Sequence, residues 1–71
     1  MTPTDLEKRD GLTPREQEII GLIVRGWTTK QIALWLGVSF TTAKTHLHNI
    51  HSKAGTTTRL RLVVWALRRA A

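Results

Sequence analysis

Aliphatic residues recur along the chain at helical spacing, in four runs separated by short turn signals. The first run holds Ile19, Ile20 and Ile23 on one face, with Leu22 on its flank. In front of it, Thr13 is placed as N-cap, Pro14 at the first helical position, and Glu16 completes a capping box. Leu12 can staple onto that first turn and Gly26 can end the helix, so Glu16 reads as a structural acid of the cap. The second run puts Ile32, Ala33 and Leu36 on an inner face, started by Thr28 with Gln31 and stopped at Gly37. The third follows Ser39, a good N-cap, and repeats Ala43, Leu47, Ile50 and Ala54 at i, i+4, i+7 and i+11. The fourth follows Gly55-Thr56-Thr57-Thr58, with Thr57 or Thr58 as cap. Its stripe of Leu60, Val63, Val64 and Leu67 is expected to close the core. The pattern predicts an all-α domain of four helices over residues 12–71, behind a polar, flexible lead of residues 1–11.

Two of these helices are joined by so short a turn that their geometry is constrained. Only Gly37, Val38 and Ser39 separate the second from the third, which forces a sharp crossing, and small Ala33 lets one helix lie close over the other. That is a helix-turn-helix, whose second helix enters the DNA major groove. Opposite the apolar stripe of the third helix lie Thr41, Lys44, Thr45, His48 and Ser52, and no carboxylate. Hydroxyl, ammonium and imidazole groups can meet base edges. An ordinary amphipathic surface helix could carry the same face, but here caps, turn and stripe agree. On the fourth helix, the side away from the expected core stripe holds Leu62, Trp65, Ala66 and Arg69. Adjacent Leu and Trp have little use in water, so this side is read as a contact surface. The alternative is that Trp65 lies flat over its own domain.

Charge supports a polyanionic partner. The 71 residues carry 11 Lys and Arg against 5 Asp and Glu, a net charge of +6. All the acids (Asp5, Glu7, Asp10, Glu16 and Glu18) fall in the first 18 residues, and the rest of the chain carries only bases. Such an asymmetry attracts nucleic acid in a salt-dependent way. An acidic membrane surface fits less well, because the bases are spread over several helices and flank no single strongly apolar face. There is no cysteine, no stretch of transmembrane length and no signal pattern, so a cytoplasmic protein is expected. The chain is close to the size at which a single core becomes marginal.

With these residues in place, the chain resembles the LuxR/FixJ-type helix-turn-helix domain of bacterial transcription regulators. The family's opening L-T-x-R-E is matched by Leu12 to Glu16. Its G-x-S/T-N-K-E-I-A block is matched at Gly26, Thr28, Lys30, Ile32 and Ala33. Its recognition block is matched at Ser39, Thr42, Lys44, His46, Ile50 and Lys53, and its closing G-x-x-x-R at Gly55 and Arg59. The matches run in register without a gap. The resemblance implies a four-helix domain whose third helix, about residues 40–54, lies in the major groove and whose last helix often dimerises. It assigns base reading to Lys44, Thr45 and His48, with Thr41 beside them on the same face. Phosphate contact is assigned to Thr28, Lys30, Thr42, His46 and Lys53. The implied partners are double-stranded DNA and a second copy through the last helix, which the residue pattern places at Leu62, Trp65, Ala66 and Arg69. No metal or cofactor is implied. The departures are Ala43 where Val is usual, Ala54 where Leu is usual, Thr29 for Asn, Thr56 for Val, and Phe40 at a usually polar position. The family usually carries a receiver or ligand-binding domain as well; Met1 and a natural-looking lead suggest a stand-alone regulator, and a piece of a larger protein is the alternative.

Other function classes fit less well. The chain has no H-E-x-x-H, no P-loop and no cysteine, which argues against an enzyme. His46, His48 and His51 do not share one face, and no carboxylate lies near them in sequence to complete a metal site. Two alternatives stay open: an interaction module that pairs with and modulates a larger regulator, and a sigma region-4-like element contacting RNA polymerase.

Overall fold

The structure is a computed structural model and describes residues 11–70, so the expected lead lies outside the described residues except for Gly11. Four helices and no strand occur among them: α1 (Pro14–Val24), α2 (Thr29–Leu36), α3 (Phe40–Ala54) and α4 (Arg59–Ala70). Local chemistry sets their ends. Thr13 and Glu16 form a reciprocal capping box at α1, with Pro14 in its first turn, and Thr28 and Gln31 form another at α2. Ser39 caps α3 by accepting a hydrogen bond from the Thr42 N–H. Of the two candidate caps of α4, Thr58 is used: its hydroxyl accepts from the Arg61 N–H at 3.2 Å. Gly37 and Gly55 close α2 and α3 with φ of 71° and 72°, a conformation that costs an L side chain about 1–2 kcal/mol.

The core is built from Leu12, Ile19, Ile20, Leu22 and Ile23 around α1, Ile32 from α2, Ile50 from α3, and Leu62 and Ala66 from α4. Helix α2 packs on α3, while α4 packs on α1 and on α3. Ala33 and Ala43 are both buried, the small residues of the helix-turn-helix pair.

The orientation of α4 corrects the sequence reading. Leu62 is 0% exposed and Ala66 7%, whereas Leu60 is 74% and Leu67 55% exposed. Leu62 and Ala66 therefore belong to the core and cannot line a contact surface. Trp65 is half-buried and packs against the same cluster, with the Arg69 guanidinium over its ring at 5.1 Å. The outward apolar side is instead Leu60, Val64 and Leu67, while Val63 of the expected stripe is half-buried and packs on the core as expected. The physical reason is steric: a small Ala66 lets α4 approach the core closely, where a stripe of four large aliphatics would hold it off. Arg61 and Arg68, both exposed, lie together on one side of Val64 on the helical wheel, opposite Leu60 and Leu67, and mark the solvent side.

Candidate nucleic-acid interface

Helix α3 presents the expected outer face. Thr41, Lys44, Thr45, His48 and Ser52 are all exposed along it, opposite buried Ala43 and Ile50. Hydrogen bonds fix what these groups can offer. The Thr45 hydroxyl donates to the Thr41 carbonyl at 3.1 Å, so its oxygen lone pairs and methyl group remain for a partner. Ser39 Oγ donates to Thr42 Oγ1 at 3.0 Å, which leaves the Thr42 hydroxyl proton free to donate. The Lys44 ammonium lies 5.7 Å from the centre of the Phe40 ring. His48 is exposed and His46 half-buried.

A second group of donors stands at the start of α2. Thr28 and Lys30 are exposed there, and the Thr28 hydroxyl accepts from the Gln31 N–H at 3.1 Å, so its own proton is available. Arg59 from the start of α4 reaches the same place: it donates to the Trp27 carbonyl and, at 3.4 Å, to Thr29 Oγ1. Thr28, Thr29, Lys30, Phe40 and Arg59 together line a shallow cleft that joins the α2 start to the α3 start. Two cations, Lys30 and Arg59, and two hydroxyl groups, Thr28 and Thr29, around one concavity suit an anion such as a backbone phosphate.

Lys53 has a partner that the sequence did not reveal. Its ammonium donates to Glu16 Oε1 at 2.7 Å, and the same oxygen accepts from the Thr13 N–H at 2.9 Å. The Glu16 side chain is 6% exposed and that of Lys53 35%. Burial by itself would raise the Glu16 carboxyl, but the Lys53 hydrogen bond, the Thr13 backbone bond and the Lys53 charge together hold it below its ordinary value. The cap of α1 is thereby tied to the last turn of α3. Removing Lys53 thus disturbs the seating of α3 as well as any phosphate contact, and separation of the pair by 37 positions is why no local pattern announced it. His51, also in the last turn of α3, pairs its Nδ1 with Thr56 Oγ1 at 2.8 Å, so the unusual Thr56 closes the turn after that helix. Among the described residues no group of three His, Cys, Asp or Glu side chains could hold a metal, and no helix is long and apolar enough to cross a membrane.

The sequence and the fold are similar to those of known proteins. Residues 10–66 match the family described as bacterial regulatory proteins, luxR family. The chain is 49% identical over 61 residues to the transcriptional regulatory protein MctR of Rhizobium johnstonii, covering 86% of this chain and 28% of that protein. It is 42% identical over 50 residues to the probable transcriptional regulatory protein SgaR of Hyphomicrobium methylovorum, covering 70% of this chain and 24% of that protein. The chain thus spans about a quarter of the length of these curated relatives. The solved structure of the transcription factor GerE is similar with a TM-score of 0.74 at 37% identity, covering 83% of this chain and 88% of that one.

Proposed function

Because the chain belongs to the luxR family of bacterial regulatory proteins, we propose that it binds double-stranded DNA sequence-specifically and regulates transcription in the bacterial cytoplasm. Helix α3 lies in the major groove. The observation that carries this reading is the exposed, carboxylate-free face of α3 beside the donor-lined start of α2. Lys44, Thr45, His48 and Thr41 face base edges, where an ammonium meets guanine acceptors and an imidazole can donate or accept. Thr28, Lys30, Thr42 and His46 face phosphates and fix the register of the helix on the duplex. Lys53 adds charge at the far end, reduced by its pairing with Glu16.

Two copies pair through the outward side of α4, formed by Leu60, Val64 and Leu67 rather than by the residues that the sequence pattern suggested. A two-fold axis through that stripe sets the same side chains against each other and places the recognition helices on successive turns of one duplex. Arg61 and Arg68 beside the stripe bring like charges together across the axis, so pairing is weak in solution and reinforced on DNA, where both copies share one site.

Selection of bound fragments from a random DNA pool tests the reading, followed by titration at several salt concentrations. Each neutralised phosphate contributes a slope of about −0.9 in log K against log salt, so a domain with this many donors is expected to show about −3 to −6. His48→Ala should shift the preferred sequence at one base pair, by about 1–3 kcal/mol of discrimination. No enriched sequence, together with a slope near zero, would leave the interaction-module reading standing in place of this one.

A further inference from the structure

We propose that Phe40 is a specificity-determining residue that reads the methyl group of a thymine next to the base pair met by Lys44. The inference rests on the DNA-binding reading above and extends it to a residue that the family pattern leaves polar.

Phe40 has no evident duty in the fold. It is the first residue of α3, its side chain is 52% exposed, and it stands outside the core cluster. Its ring is apolar surface at the start of the recognition helix that a partner can gain by burying. Its neighbours identify that partner. On one side, the ring borders the cleft shared by Thr28, Thr29, Lys30 and Arg59, the donors suited to phosphate. On the other, one helical turn along α3, the Lys44 ammonium sits over the ring at 5.7 Å. Phe40 therefore lies between the groups that would hold the backbone and the groups that would read bases. Residues at the N-terminal end of a recognition helix are those that reach base edges.

The only apolar feature that a base pair offers in the major groove is the C5 methyl of thymine. A phenyl ring can bury that methyl while making no hydrogen-bond demand on the base. Burial would also dry the ring and strengthen its hold on the Lys44 ammonium, since cation–π attraction grows as water is removed. Lys44, held on the Phe40 side of the helix, is then aimed at the O6 and N7 acceptors of a guanine beside that thymine. The preferred half-site should accordingly carry a thymine adjacent to a guanine.

The test begins with the best half-site from the random-pool selection. Each thymine is replaced singly by uracil, which deletes the methyl and leaves every hydrogen-bonding group in place. One such replacement is expected to weaken binding by the unaltered protein about fourfold, the effect of returning one methyl group to water. Phe40→Ala should bind the thymine and uracil versions of that site equally, while Phe40→Leu, still apolar, should keep part of the difference. A selected site at which no uracil weakens binding overturns the proposal and leaves DNA recognition by α3 intact. An undiminished uracil penalty in Phe40→Ala overturns it as well. Failure of selection to yield any sequence would remove the DNA reading itself, and the proposal with it.

Discussion

Leu62→Ala should lower the stability of the domain by about 3 kcal/mol, the usual cost of emptying a leucine site in a core that relaxes only in part. In so small a domain that is a large share of the total, and the melting temperature should fall by more than about 10 °C. Leu62 is fully buried beside Ile19, Ile23 and Ile50 in the same cluster. Val64→Asp, two positions on, is expected to do something different. Val64 is exposed on the opposite side of α4, so the melt should move by only a few degrees. Its effect should appear on DNA: loss of affinity for a full palindrome, with binding to a single half-site unchanged, because only pairing of two copies is disturbed. Thermal melts of both variants, read beside titrations on the two DNA targets, separate core from contact surface. The reverse order, with Val64→Asp melting far below Leu62→Ala, would mean that α4 is turned the other way.

Glu16→Ala should be the second most damaging change, costing about 2 kcal/mol at neutral pH. It removes a cap acceptor, worth about 1 kcal/mol, and leaves the Thr13 N–H and the Lys53 ammonium without their carboxylate. The Lys53 ammonium is partly solvated, which keeps the loss below that of a fully buried pair. The pH dependence follows from the sign of the shift. The Glu16 carboxyl is held below its ordinary value in the folded state. Its contribution is therefore complete above the unfolded value of about 4.3 and disappears as pH falls through the lower folded value. The difference in melting temperature between the unaltered protein and Glu16→Gln should be constant from pH 7 to about pH 5 and shrink steadily in stronger acid. A difference that does not change between pH 7 and pH 3 would show that Glu16 acts only as a hydrogen-bond acceptor.

Local chemistry was legible in the sequence, and contacts between distant segments were not. Thr13 with Glu16, Thr28 with Gln31, and Ser39 all cap the helices that their spacing predicted, because a capping box is written within four consecutive residues. The turn at Gly37 was legible for the same reason, and with it the exposed face of α3. The rotation of α4 was not. Its sequence carries two apolar stripes, and a count of large aliphatics favours Leu60, Val63, Val64 and Leu67. The close approach permitted by Ala66, together with the positions of Arg61 and Arg68, decides for the other side. The same reasoning about small residues that placed Ala33 at the helix crossing would have found it.

The pairing of Glu16 with Lys53 shows a different limit. Each residue was noticed for a local reason, one as a cap and the other as a base near the end of α3. Only the tertiary fold, which sets the capped start of α1 within reach of Lys53 at the end of α3, brings them together. Arg59, matched to the family's closing arginine, likewise acts through the Trp27 carbonyl and Thr29, more than a helix away in sequence. Phe40 and Lys44 are the opposite case. They stand one helical turn apart, a local spacing from which the ring-to-ammonium contact follows.

Placement of α3 in the major groove can be tested by dimethyl sulfate protection on a selected DNA site, since the reagent methylates guanine at N7 in the major groove and adenine at N3 in the minor groove. Protection should fall on guanine N7 positions within each half-site, with adenine N3 left reactive. In Lys44→Ala the protection should be lost at the guanine that Lys44 meets and kept at the others. Protection confined to adenine N3, or guanine N7 reactivity unchanged by bound protein, would contradict the placement of α3 and every base contact assigned to it.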